Sequence, residues 1–360
     1  MLRIALSKLQ LARDVWRRKF GLLLFDKKDK KNNRFGLSKK INRIVLVRWD
    51  AKLGDAIVSS FVIREWRKAY PGIKIDIITT PAMASFFRDY FNIDVIFEIN
   101  KRPSYRELKK LATSVGEVDL LVHLSKMLKM KDLYFMNKVK AKNIVGIDDS
   151  VGMINIKLGE ITKSNHFSDK FRVLLEQTGV QNIDSQYIIP QNSESQERVD
   201  SFLTAFEHPI LAFNPYGSGN ERQVSRKKIE EIINVIFEIK KNVVIVLLVA
   251  PDKKEEVADI SSQYKKVFFY DKSETIHDSI SIIRRSHWVM SVDTATVHVA
   301  LGLNKPLLAL YNPDYENFIE WGYKRNNVIN VFSDKGTPQN IGKVDDNRLS
   351  KAISELLNNF

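Results

Sequence analysis

From Ile41 onward the chain alternates short aliphatic and β-branched runs with stretches whose apolar positions recur every three to four residues, the signature of parallel βαβ units. Ile44 to Val47 predicts a first strand. It is followed by a helix over Ala56 to Tyr70, stopped by Pro71-Gly72, then by a strand over Ile73 to Thr79, a helix over Pro81 to Tyr90 and a strand over Asp94 to Ile99. Tyr105 to Val115 and Leu128 to Lys138 read as helices, Val118 to Leu124 and Asn143 to Ile147 as strands, which completes one doubly wound domain. Residues 148 to 165 read as irregular. A helix over His166 to Thr178 leads into the polar stretch Pro190 to Glu197, read as a linker between domains.

The alternation then repeats. Strands are predicted at Ile210 to Asn214, Val243 to Leu248, Val267 to Phe269, Trp288 to Ser291, Pro306 to Leu310 and Asn327 to Phe332. Helices are predicted at Lys228 to Ile239, Lys254 to Tyr264, Ile276 to Arg284 and Thr294 to Leu301, with Asn347 to Asn358 closing the chain and a candidate to cross back to the first domain. The expected fold class is α/β, with two Rossmann-like doubly wound domains. The expected boundaries are 1–40 for an N-terminal segment and linker, 41–190 for the first domain and 191–360 for the second.

The N-terminal segment follows another pattern. Leu2, Leu6, Leu9, Ala12, Val15, Trp16, Phe20 and Leu23 recur at helical spacing along one side, while Arg3, Arg13, Arg17 and Arg18 fall mostly on the other. Charge sharpens this picture: of a net +14, residues 1 to 40 carry +10, with thirteen Lys and Arg against three Asp. A basic amphipathic helix of this kind binds anionic membrane surfaces, and the alternative is a helix packed on the rest of the protein. Asp26 to Lys40 is polar and basic and reads as a flexible linker; it lacks the interleaved aromatics of a base-stacking surface, so nucleic acid is not an expected partner. The apolar positions are interrupted by Arg3, Lys8, Arg13 and Asp14, which leaves no run for a signal peptide or a bilayer span. With no cysteine, neither disulfides nor a thiolate zinc site can form, which agrees with a reducing compartment.

Open α/β sheets bind ligands at the carboxyl ends of their strands, so candidate chemistry is sought there. Three turns stand out. The first, Val47-Arg48-Trp49-Asp50-Ala51-Lys52-Leu53-Gly54-Asp55-Ala56, reads as a strand, a glycine turn and an aspartate that begins a helix; Asp55 is either a general base or a helix cap. The second, Asn214-Pro215-Tyr216-Gly217-Ser218-Gly219-Asn220-Glu221-Arg222, has small residues that let amides approach a phosphate, but lacks P-loop and GxGxxG spacing. Arg222, or alternatively Arg226 or Lys227, can bond phosphate oxygens. The third runs from Ser291 through Asp293-Thr294-Ala295-Thr296-Val297-His298 to Pro306. It offers free amides and a helix dipole to an anion, with Thr294 and His298 one helical turn apart. No HExxH, Cys/His cluster, GxSxG or metal-holding Asp-x-Asp is present, so no metal site is expected. Among the six histidines, His123 ends a strand and is a candidate to face a cleft.

Leu53-Gly54-Asp55 with the Tyr70-Pro71 pair that ends its helix, and the Ser291 to Pro306 segment, together resemble glycosyltransferase family 9, the lipopolysaccharide heptosyltransferases. The resemblance covers about residues 41 to 325. It implies a GT-B type fold, whose two domains face an interdomain cleft, with acceptor in the first domain and nucleotide sugar in the second. It implies Asp55 as catalytic base, with Lys52 and Gly54 as candidate acceptor-binding positions, and Ser218, Arg222, Asp293, Thr294, Ala295 and His298 at the donor diphosphate. Here Ala295 stands where the family's third segment has glycine, and Val224-Ser225 where its second has an aromatic pair. The implied activity is inverting, metal-independent transfer of heptose from ADP-heptose to the lipopolysaccharide inner core, without a cofactor, by a cytoplasmic enzyme peripherally associated with the inner membrane. The alternatives are a different nucleotide sugar, or a catalytically silent nucleotide-sugar-binding protein.

Overall fold

The computed structural model describes the backbone of residues 2–26 and 41–360, and side chains from Arg13 onward. The chain divides into two compact units, Met1–Ser185 and Gln186–Phe360. The first begins with α1 (Leu2–Phe25), followed by β1 (Arg43–Arg48), α2 (Leu53–Val58), α3 (Ser60–Ala69), β2 (Lys74–Thr79), α4 (Pro81–Tyr90), β3 (Val95–Glu98) and α5 (Tyr105–Val115). It continues through β4 (Glu117–His123), α6 (Met130–Lys138), β5 (Lys140–Gly146), a short β6 (Ile156–Lys157) and α7 (Phe167–Gln177). Its strands form one parallel sheet in the order β3-β2-β1-β4-β5-β6. Helices cover both faces of such a sheet, which is why Ile44–Val47 is apolar and buried without alternation.

The second unit contains α8 (Ser193–Leu203), β7 (Ile210–Asn214), α9 (Arg226–Ile239), β8 (Val244–Leu247), α10 (Lys254–Ser262), β9 (Val267–Phe269) and α11 (Ile276–Arg285). It ends with β10 (Trp288–Val292), α12 (Ala295–Gly302), β11 (Leu307–Tyr311), α13 (Tyr315–Trp321), β12 (Val328–Phe332) and α14 (Asp346–Asn359). Its parallel sheet has the order β12-β11-β10-β7-β8-β9. Counted from its own first strand this is the same connectivity as in the first unit, so both are Rossmann-like. In each, the strand order reverses beside the first strand, between β1 and β4 and between β7 and β10.

Four sequence expectations change. The helix expected over Ala56 to Tyr70 starts earlier and breaks at Ser59, whose hydroxyl donates to the Ala56 carbonyl at 3.0 Å and competes with the helical ladder. The polar stretch read as a linker starts a helix instead: Asn192 accepts from the Ser195 amide at 2.8 Å, and Ser195, Val199 and Leu203 line one buried face of α8. Residues 148 to 165 contain β6, and α13 was not anticipated. Helix α14 packs within the second unit, its Leu349, Ile353 and Leu356 joining the core made by Ile229, Ile232 and Ile236 of α9.

Helix α1 docks on the first unit, but through the face opposite its apolar stripe. Gly21 lies against Met130 and Leu133 of α6, and Phe25 meets the Tyr134 ring edge-on at 5.2 Å. The Arg18 guanidinium reaches both Asp148 carboxylate oxygens at 2.8 Å, and the Asp26 carboxylate accepts from the Gly152 and Met153 amides at 2.7 and 2.8 Å. Burial alone would push the Asp148 carboxyl up, but bonds from Ser150, Arg18 and the Leu128 amide hold it below the usual range. Residues 27 to 40, read as a flexible linker, lie outside the described residues.

Candidate functional site

All three candidate turns lie at the strand-order reversals, at the carboxyl ends of β1, β7 and β10. After β1 the backbone turns through Ala51 at φ 55°, a left-handed conformation uncommon outside glycine and often found where structure serves function. Lys52 is then the N-cap of α2, without a side-chain bond, and Gly54 and Asp55 lie in its first turn. So the turn is made at Ala51 rather than at glycine, and Asp55 sits three residues into α2 rather than at the cap. Its carboxylate is free for another task.

That carboxylate is largely buried and 4.0 Å from the Arg48 guanidinium, which also pairs with Asp50 at 3.6 Å. Burial pushes the Asp55 carboxyl up to about 6; Arg48 and Lys52 oppose this, while the Asp50 charge and its hydrogen bond add to it. A base in this range is ionised near neutral pH and still takes a proton readily. Arg48 is itself only 8% exposed, and its Nε and Nη2 have no hydrogen-bond partner among the described residues. Replacing Arg48 with Gln should raise the Asp55 carboxyl from about 6 by roughly one unit in an NMR titration of its carboxyl carbon, because the opposing cation is gone, whereas Arg48→Lys should leave it in place. An unmoved Asp55 titration in Arg48→Gln would remove Arg48 from the control of Asp55.

His123, a candidate to face a cleft, is instead buried at the end of β4, with its ring edge-on to Trp49 at 5.7 Å and Nε2 3.4 Å from Asp132. Asp132 also accepts from the Lys129 amide at the start of α6, which makes the pair part of how β4, α6 and the Trp49 turn are held together. Tyr70 has a local task as well: its hydroxyl bonds the Thr178 carbonyl, while Trp66 donates to the Thr178 hydroxyl at 3.0 Å, tying α3 to the end of α7.

In the second unit, Asn214 ends β7 and binds its turn to that after β10. Its side-chain amide donates to Thr294 Oγ1 at 3.0 Å and Thr296 Oγ1 at 2.9 Å. Gly217 sits where a Cβ would lie 2.8 Å from the Arg222 backbone oxygen and 3.2 Å from the Thr294 methyl, so only glycine permits this approach. Arg222 thereby reaches Asp293, at 3.5 Å. Arg226 is engaged with Glu230 and Asp259, and Lys227 with Glu231, so of the three candidate cations Arg222 is the one beside the third turn.

Asp293 is mostly buried, which pushes its carboxyl up; Arg222 and a 3.3 Å bond from Asn317 oppose this, and Asp314 adds to it. Thr294 is the N-cap of α12 and accepts from the Thr296 amide at 3.3 Å. Ala295 is the first helical residue, so the free leading amides of α12 follow directly on Asp293, the residue that Arg222 pairs with. Ser218 is exposed in the second turn. His298, in α12, is buried, with its ring edge-on to Trp321 at 6.1 Å and Tyr323 at 6.3 Å. Sequence reasoning missed Arg48 and Asp50 in the first turn and Asn214 in the second. The signal for each was its position directly at a strand's carboxyl end. Among the described residues, no group of three His, Asp or Glu is placed to hold a metal ion.

Sequence comparison narrows what this architecture allows, since solved UDP-GlcNAc 2-epimerases share it at TM-scores of 0.52 and 0.51. The sequence model of glycosyltransferase family 9 (heptosyltransferase) matches residues 110–348. An Escherichia coli (strain K12) protein named "Putative lipopolysaccharide heptosyltransferase 4" is 22% identical over 348 residues, 94% of each chain. Among solved structures, a family 9 glycosyl transferase from Veillonella parvula DSM 2008 superposes with a TM-score of 0.74 at 17% identity, covering 90% of this chain and 100% of that one. The E. coli heptosyltransferase WaaC with ADP gives 0.62 at 16%, covering 87% and 99%. Residues 110–348 hold the second and third turns, and the relative matched over 348 residues extends the likeness along nearly the whole chain. With its two Rossmann-like units, the chain is a glycosyltransferase of GT-B fold and belongs to glycosyltransferase family 9.

Proposed function

We propose that this enzyme transfers heptose from ADP-heptose to a hydroxyl of the lipopolysaccharide inner core, with inversion and without a metal. The single observation that carries the catalytic part is Asp55, a buried carboxyl raised to about 6 in a turn where it caps nothing. In the proposed step the Asp55 carboxylate takes the proton of the acceptor hydroxyl. The freed oxygen pair forms the new bond to the anomeric carbon, and the bond from that carbon to the diphosphate breaks. The electrons leave with the nucleoside diphosphate. Its growing charge is met by the α12 amides, the Thr294 hydroxyl and Arg222 in place of a metal ion. Lys52 and Gly54, beside Asp55, belong to the acceptor side.

Support for the donor comes from the family and from structural relatives described with ADP and with an ADP-heptose analogue. Support for the acceptor comes from the E. coli relative's name. A lipid-borne acceptor also suits an enzyme held peripherally at the inner membrane. The test is turnover of ADP-heptose against ADP-, GDP- and UDP-hexoses, with deacylated inner-core acceptor. ADP-heptose should give the highest kcat/KM. Faster transfer from another nucleotide sugar would change the donor, and binding without turnover of any would make the protein a nucleotide-sugar binder.

A further inference from the structure

We propose that the outer face of α1 is a membrane-docking surface, held on the first unit and fitted to an anionic lipid bilayer. Docking uses Arg18, Gly21 and Phe25. On a helix of 100° per residue, Trp16, Phe20 and Leu23 fall within a narrow arc on the opposite side. They are 63%, 53% and 81% exposed, and Leu24 at 61% extends the arc. Four large apolar side chains in one exposed stripe are not what a helix packed only for stability presents. Cations border the stripe on both sides, with Lys19, whose ammonium lies 5.9 Å over the Trp16 ring, on one and Arg17 on the other, while Arg13 falls between the Phe20 and Leu24 directions.

This arrangement selects lipid over a second copy of the chain. Residues 1 to 40 carry +10, so two such helices packed face to face would bring like charge together, whereas anionic head groups complement it. An apolar stripe flanked by Lys and Arg, with an aromatic at its centre, buries its side chains at the level of the head groups. Among the described residues no helix is long and apolar enough to cross a membrane, so α1 would lie along the surface.

The docking also sets a direction. Gly21 lies beside Met130 and Leu133, and the Phe25 carbonyl accepts from Asn137 at 2.7 Å, so α1 runs parallel to α6. Helix α6 starts just after the carboxyl end of β4, and Arg18 binds Asp148 just after that of β5. The part of α1 before Arg18 therefore extends past the strands' carboxyl ends, the end of the first unit that carries Asp55. A membrane held on this face would meet the unit at its proposed acceptor end, a consequence that rests on the function proposed above.

The test uses the full chain and vesicles of phosphatidylcholine, with or without phosphatidylglycerol, in a sedimentation assay without substrate. Wild type should bind the anionic vesicles and be partly released by high salt. The triple variant Trp16→Ser, Phe20→Ser, Leu23→Ser should bind at least about tenfold more weakly, with unchanged transfer to deacylated acceptor. Gly21→Val, which displaces the docked face through Met130, should keep vesicle binding but lose transfer to membrane-embedded acceptor relative to soluble acceptor. Equal vesicle binding by the triple variant and wild type would overturn the proposal. So would a wild-type dimer dispersed by the triple variant, which would make a second copy the occupant. Because vesicle binding is read without donor or acceptor, its failure is distinct from failure of the proposed reaction.

Discussion

Asp55→Asn is expected to lower transfer by at least about 10²-fold, the usual loss on removing a general base, while leaving nucleotide affinity unchanged. The same substitution should stabilise the protein at neutral pH. The sign follows from linkage. The folded-state carboxyl titrates at about 6, above its unfolded value of 3.8, so the folded protein binds more protons between these pH values. Stability from this group is fully present below about pH 4 and is lost as pH rises through about 6. A neutral amide in the same place escapes that loss, a gain on the order of 2 kcal/mol at pH 8 and near zero at pH 4. Denaturant melts of both proteins at the two pH values measure it, and kcat/KM against pH should show the wild-type acidic limb near 6. A variant that keeps wild-type turnover makes Asp55 a structural residue. One that loses activity but is equally destabilised at both pH values ties the loss to folding rather than to a base.

This pairing of a cost to stability with a gain in reactivity bears on what the sequence made legible. Leu53-Gly54-Asp55 after a buried apolar strand placed the carboxylate at the right end of the sheet, because parallel strands buried on both faces announce themselves as unbroken apolar runs. The conformation of the turn was hidden. Nothing in the residue type of Ala51 signals φ 55°, and the nearby glycine drew the turn to itself. Nor could spacing show that Arg48, the last residue of β1, folds back between Asp50 and Asp55, since that depends on side-chain burial. The polar run beginning at Asn192 misled for a related reason: one asparagine cap and a buried serine look like a linker until the packing of Val199 and Leu203 is known. In α1, the periodic stripe was correctly read as one helix face. Packing on the rest of the protein stood only as the alternative, because the docked face pairs the apolar Leu22 and Phe25 with Gly21 and Arg18, which carry no apolar signal.

Arg222→Ala is expected to weaken ADP binding by about 10- to 100-fold, the range for losing a charge-assisted bond to phosphate. Among the described residues Arg222 pairs with Asp293 at 3.5 Å, and burial pushes that carboxyl up, which weakens its hold on the guanidinium. Removing it should leave the thermal midpoint nearly unchanged, since Arg222 is itself partly exposed and its pair with Asp293 is long, at 3.5 Å. Thr294→Ala should act on the same ligand at lower cost in affinity, about tenfold, but also lower stability by about 1 kcal/mol through the lost cap. Because Gly217 packs the Arg222 turn against Thr294, the two substitutions touch one bound diphosphate and should combine to less than the product of their separate effects. Raising salt should weaken ADP binding more in wild type than in Arg222→Ala. His298→Ala provides the contrast: its buried ring against Trp321 and Tyr323 predicts a stability loss of about 2 kcal/mol, with any change in ADP affinity following from displaced α12 amides. Titration calorimetry with ADP separates these cases. Full nucleotide affinity in folded Arg222→Ala would move the diphosphate away from this turn and make Arg226 and Lys227 the next residues to replace.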